Sequence, residues 1–127
     1  MFKFENILVP TDFSEQFNIS LNYAKEIAKS QDATLHIIHV LDHAMAPANV
    51  VFSPHAKIVD VEQEIRTKAE KKLESLDKEL TAEKFNVKTE LIKGSAADEI
   101  IKYSEENKID VICIATHGSS GIEHFLF

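Results

Sequence analysis

The chain is expected to fold as an α/β protein with an open, doubly wound parallel sheet. Three observations carry that expectation. Short apolar runs of strand length alternate with stretches of helical periodicity. Long helical segments, not tight hairpin turns, separate consecutive strands, as parallel crossovers require. One strand alternates apolar with polar residues while the others are apolar nearly throughout, the difference expected between the edge and the centre of a parallel sheet. At 127 residues the chain reads as a single domain.

The first strand, Phe4 to Pro10, carries Ile7-Leu8-Val9 and stops at a proline. Ser14 stands where an N-cap belongs, and Phe17, Leu21, Ala24 and Ala28 then recur at helical spacing to about Ser30. The second strand is Thr34 to Leu41, with Leu35, Ile37, Ile38 and Val40. Residues 42–56 contain Pro47 and Pro54 and read as a long irregular connection. Ile58, Val61, Ile65, Ala69, Leu73, Leu76 and Leu80 define the longest helix, with Glu64–Lys68 and Glu74–Lys78 as i,i+4 pairs in the favourable order. Its near-heptad spacing is read as packing against the sheet, not as a coiled coil. Val87, Thr89 and Leu91 alternate with Lys88 and Glu90, which makes this third strand an edge. Ser95-Ala96-Ala97-Asp98 resembles a capping box and opens a helix through Ile100 and Ile101. Ile109 to Ala115 is a fourth strand, read with the first two as central and buried on both faces.

The simplest strand order consistent with these types is 3-2-1-4, in which the winding reverses between strands 1 and 4. Ligands of open α/β sheets bind beyond the carboxyl ends of the strands at such a reversal. The expected site therefore lies between Pro10-Thr11-Asp12-Phe13-Ser14 and Thr116-His117-Gly118-Ser119-Ser120-Gly121. A bare apolar fourth strand would be an aggregation hazard. After Gly121 only Ile122 to Phe127 remain, read as the start of an apolar helix. The expectation is a domain of residues 1–127 that is incomplete at its C-terminus, lacking a fifth strand unless another chain covers strand 4.

Fourteen Lys and Arg against twenty-one Asp and Glu give a net charge of −7, which argues against a nucleic-acid partner. No apolar run approaches the roughly 20 residues of a membrane span, and the N-terminus lacks a signal-peptide pattern, so a cytoplasmic location without membrane contact is expected. One cysteine, Cys113, makes no internal disulfide and reads as an inert core residue.

Catalytic signatures are weak. No Gly-Lys-Ser/Thr follows a glycine-rich loop, and Ser119 and Ser120 do not sit in a Gly-x-Ser-x-Gly elbow. Nothing orients Asp12, Ser14 and His117 as a triad. Strand 3 ends in Leu91-Ile92-Lys93-Gly94, without the aspartate of a phospho-receiver. Flavin binding would rest on fold analogy alone. His36 and His39, three apart on a strand, point to opposite faces and make a poor start for a metal site with His43 and His55. The plainer reading of Asp12 and Ser14 is that they cap the first helix, and of Gly118 and Gly121 that they are turn glycines.

The two loops carry a resemblance that is specific in combination. Pro10-Thr11-Asp12-Phe13-Ser14 matches the Pro-Thr-Asp-x-Ser stretch that ends the first strand of universal stress proteins, and Gly94 precedes the third helix. Nucleotide-binding members of that family carry Gly-x-x-Gly, nine residues, then Gly-Ser or Gly-Thr. Here Ala115 replaces the first glycine, Gly118 is the second, and nine further residues reach Phe127.

The resemblance covers the whole chain. It implies an adenine nucleotide α-hydrolase-like fold, with a fifth strand giving the order 3-2-1-4-5, and an ATP-binding regulatory protein of the stress response. By resemblance Asp12, beside Pro10 and Thr11, accepts hydrogen bonds from the ribose or adenine end, and Val40 offers backbone groups to the adenine edge. Ala115, Thr116, His117 and Gly118 pass under the ribose and phosphates, and Ser119, Ser120 and the turn to Gly121 meet phosphate. The alanine at 115 requires a negative φ there. A divalent ion, Mg or Mn, bridging the phosphates would accompany ATP. Hydrolysis is expected to be absent or slow, at most a weak ATPase. A homodimer is implied by the same resemblance. The competing expectation is a dimeric interaction protein of the same fold that binds no nucleotide.

Overall fold

The computed structural model describes residues 3–42, 58–115 and 123–126, the side chains of 58–60 and 123–126 excepted. The elements follow in the order β1 (Asn6–Pro10), α1 (Glu15–Gln31), β2 (Thr34–Leu41), α2 (Ile58–Ala82), β3 (Asn86–Lys93), α3 (Ala96–Glu106), β4 (Val111–Ala115) and β5 (Glu123–Leu126). They form one sheet in the order β3-β2-β1-β4-β5. The parallel strands β3, β2, β1 and β4 take the expected order, through pairings such as Val9 with Ile37, Ile37 with Thr89, and Ile7 with Val111.

β5 corrects the expectation that the chain lacks a fifth strand and ends in a helix start. Glu123 to Leu126 pair antiparallel with β4, Cys113 opposite Phe125. A parallel fifth strand needs a crossover of about a dozen residues or more, whereas an antiparallel return needs only a short connection such as 116–122. An open β4 edge rewards that return with inter-strand hydrogen bonds.

α1 and α2 cover one face of the sheet. Ile7, Val9, Leu35, Ile37, Val111 and Cys113 point there and meet Phe17, Leu21, Ala24, Leu73 and Leu80 in the main core. α2 therefore packs on the sheet, as its apolar stripe requires. Glu74 and Lys78 form the anticipated ion pair at 3.1 Å on its exposed side. α3 covers the opposite face, where Tyr103 closes over Leu8 and Ile38. Because α3 is the one described helix there, β4 is not buried on both faces as its sequence implied. Val111 and Cys113 are buried towards α1, while Ile112 and Ile114 are half-buried. β3 alternates between exposed and half-buried residues over most of its length, as an edge strand does. Among the described residues no helix is long and apolar enough to cross a membrane.

The starts of β1 and β4 are fastened by Asp110. Its Oδ2 accepts the N–H groups of Glu5 and Asn6 at 2.8 and 2.9 Å, while its own N–H donates to the Asn6 carbonyl at 2.9 Å. Asp110→Ala leaves both donors to find water. Charge-assisted bonds of this kind are worth about 1.5–3 kcal/mol each, and partial exposure places both near the lower bound, an expected loss of about 3 kcal/mol for the pair. Urea unfolding of the variant measures it.

Candidate functional site

The carboxyl ends of β1, β2 and β4 lie at one rim of the sheet, and the chain leaves β1 there at a sharp turn. Thr11 is buried and its N–H donates to the Ile38 carbonyl at 2.8 Å, which extends the β1–β2 pairing by one step. Its hydroxyl oxygen then accepts the Phe13 N–H at 2.9 Å. Asp12 Oδ1 accepts the Ser14 N–H at 2.9 Å and also the Ser14 hydroxyl. These bonds form because Thr and Asp side chains can reach the backbone two residues on. Ser14 does occupy the N-cap position of α1, with φ −82° and ψ 171°, but its side chain does not cap the helix. Ser14 therefore does not cap the helix through its side chain, and Asp12 organises the turn before it. Ser95 likewise precedes α3 without a side-chain cap bond.

Beyond this turn opens a cleft of about 330 Å³. Pro10, Thr11, Asp12 and Phe17 line it from β1 and the start of α1, Ile38, His39, Val40 and Asp42 from β2, Ala96 and Ile100 from α3, and Ile114 and Ala115 from β4. Five of the positions nominated from sequence, Pro10, Thr11, Asp12, Val40 and Ala115, thus share one cavity. Thr116, His117, Gly118, Ser119, Ser120 and Gly121 lie outside the described residues. Ala115 sits within β4 opposite Glu123, in extended backbone where a Cβ is accommodated, so the alanine at this position meets no steric obstacle.

The walls are mostly apolar, and their described carboxylates are Asp12 and Asp42, with no lysine or arginine among them. Such a cleft favours the donor-rich, uncharged part of a ligand, hydroxyls and amines, over its phosphates. Sequence reasoning placed Phe17, Ile38 and Ile114 only in the core and missed His39, Asp42, Ala96 and Ile100 as wall residues. His39 and Asp42 follow Ile38, which pairs with Pro10 at the same rim; Ala96 and Ile100 open the helix that starts there.

His36 and His39 separate as their spacing implied. His39 Nδ1 donates to the Thr11 carbonyl at 2.6 Å, on the α1–α2 side. His36 is buried on the α3 side against Tyr103 and Asn6. Burial, helped by the Lys88 charge, lowers its pKa to about 4, so it stands neutral. His43, His55 and His117 lie outside the described residues.

The fold and the cleft together define a class: an open α/β sheet with a parallel four-stranded body and a cleft where its winding reverses. The Universal stress protein family model matches residues 3–127, and the chain belongs to that family. It is 28% identical to universal stress protein MJ0577 of Methanocaldococcus jannaschii over 97% of this chain and 83% of that protein. Universal stress protein YxiE of Bacillus subtilis is 31% identical over 97% and 86% of the two chains. The solved structure of MJ0577 superposes with a TM-score of 0.76, covering 95% of this chain and 81% of that one at 27% identity. A universal stress protein solved in complex with cAMP shares the fold, with a TM-score of 0.57 and 17% identity over 87% and 72% of the chains.

Proposed function

We propose that this chain binds an adenine nucleotide, ATP, in the cleft at the β1–β4 reversal and serves as a nucleotide-responsive regulatory protein. The observation that carries the reading is the convergence of Pro10, Thr11, Asp12, Val40 and Ala115 on one cavity. Its size, about 330 Å³, is at the small end for ligand clefts and suits a nucleoside better than a whole nucleotide triphosphate. Asp12 and Asp42 supply acceptors for ribose hydroxyls or the adenine amino group, and the apolar side chains of Ile38, Ile100 and Ile114 flank the base. With those two carboxylates in the wall, the phosphates are expected to lie away from them, and by the family resemblance Ser119 and Ser120 would donate to them and a divalent ion would bridge them. The cAMP complex of a protein of the same fold supports an adenine nucleotide as the ligand class. The reading is of binding, with occupancy biasing the loops and the self-association of the chain.

Calorimetric titration with Mg-ATP tests it. Saturable binding is expected, weakened at least about tenfold in Asp12→Ala, the cost of one charge-assisted hydrogen bond. Absence of saturable heat from the wild-type protein overturns the nucleotide reading in favour of an interaction protein of the same fold. Steady phosphate release abolished by Asp12→Ala would add turnover.

A further inference from the structure

The turn that presents Asp12 is held by a stack of side chains contributed by three parts of the chain. Phe13 adopts φ 62°, a left-handed conformation that is uncommon for a bulky side chain. Its ring is tilted against the imidazole of His39 on β2, with centroids 4.6 Å apart. Lys72 Nζ of α2 lies 5.1 Å from the centroid of the Phe13 ring. His39 in turn donates from Nδ1 to the carbonyl of Thr11, the residue before Asp12. A carbonyl only accepts, so this bond fixes the proton on Nδ1 and the orientation of the ring. The chain of contacts runs Lys72, Phe13, His39, Thr11 and ends at the turn whose Asp12 holds Ser14.

We infer that Phe13, braced by Lys72 and His39, is a positioning residue for the nucleotide site: its packed ring confines the turn and so holds Asp12 ready. This rests on the nucleotide reading for its ligand, but the order it imposes on the turn does not. Neither Phe13 nor Lys72 lines the cleft; both line a neighbouring groove with Ser14 and Leu76. Lys72 acts on the site from α2, an element that contributes no described wall residue to it. A partner or modification that engages Lys72 would therefore reach the site without entering it.

Glycine separates ring from backbone, because it adopts positive φ without cost and removes the ring. Phe13→Gly is expected to weaken Mg-ATP binding about tenfold, while Phe13→Tyr retains wild-type affinity. Lys72→Ala is expected to lose about two- to fivefold, the range of an exposed cation–π contact, and Lys72→Arg to restore it. Amide hydrogen exchange, read without ligand, gives the second measurement. The Ser14 N–H, held by Asp12, is expected to exchange several-fold faster in Phe13→Gly and unchanged in Phe13→Tyr, with core amides of β1 and β2 unaffected. Wild-type exchange at Ser14 in Phe13→Gly overturns the inference whatever ATP does. Faster exchange with no binding of ATP by the wild-type protein upholds the brace and sinks only the nucleotide reading.

Discussion

Ile37→Ala is expected to destabilise the fold by about 3–5 kcal/mol, the range for truncating a fully buried aliphatic side chain. Ile37 lies in the middle of β2, pairs with Val9 on one side and Thr89 on the other, and has no solvent exposure. Its side chain belongs to the core cluster formed with α1 and α2. Neighbours on both flanking strands are fixed by the ladder, so they cannot close over the space alanine leaves, and the cavity persists. Against a whole stability of about 5–15 kcal/mol this is a large fraction. Urea unfolding is expected to show a lower midpoint at unchanged slope, a shift of about 2 M for a protein of this size. Ile101, 56% exposed on α3, is the internal control. Ile101→Ala is expected to stay within about 0.5 kcal/mol of the wild type. A loss below about 1 kcal/mol in Ile37→Ala would mean that β2 is not at the centre of the sheet.

That centrality was legible in the sequence because strands buried on both faces tolerate few polar residues. Ile7-Leu8-Val9 and Leu35 to Ile38 announced themselves this way, and the Lys88–Glu90 alternation placed β3 at the edge. The one polar residue in the β2 run, His36, was legible only as an exception. Its partners, Asn6 and Tyr103, lie 30 and 67 residues away, and no local pattern signals a contact of that separation. β5 was hidden for a different reason. Ile122 to Phe127 suit a helix start or a strand equally, and the unpaired edge of β4 decides between them through tertiary hydrogen bonds that propensity does not encode. At the candidate site the turn residues 10–14 were visible because Pro, Thr and Asp punctuate the end of a strand. The brace from Phe13 to Lys72 joins residues of a turn and a distant helix, and periodicity assigns Lys72 only to a solvated face.

Acidification is expected to cost this protein stability between about pH 6.5 and pH 4, with His36 as the source. His36 is 2% exposed, and its ring joins three elements. Nε2 lies 2.9 Å from Asn6 Oδ1 and Nδ1 lies 2.7 Å from the Tyr103 hydroxyl. Asn6 Nδ2 donates to the Lys108 carbonyl, which turns the amide oxygen towards the histidine, so Nε2 is the donor. Nδ1 then accepts from the Tyr103 hydroxyl. Tyr103 keeps its proton for this purpose: burial, with the Glu90 charge adding to it, pushes its pKa up to about 12. A proton on Nδ1 would force the Tyr103 hydroxyl to turn from donor to acceptor inside the core. Burial is the main reason that the His36 pKa falls from 6.5 to about 4, with Lys88 second. The unfolded chain takes up that proton at about 6.5 and the folded chain refuses it until about 4. Over this interval the unfolded state binds more protons, so stability rises with pH. The contribution is full above pH 6.5, declines as pH falls, and is exhausted near pH 4. The whole interval amounts to about 3 kcal/mol at most. His36→Phe is expected to flatten this part of the profile while lowering stability at neutral pH by about 2–4 kcal/mol, because the Tyr103 hydroxyl and the Asn6 oxygen lose their partner. Unfolding free energies of both proteins, measured in urea at intervals from pH 4 to pH 8, separate the two effects. An equal slope in wild type and variant would assign the acid sensitivity to other groups and leave His36 a packing residue.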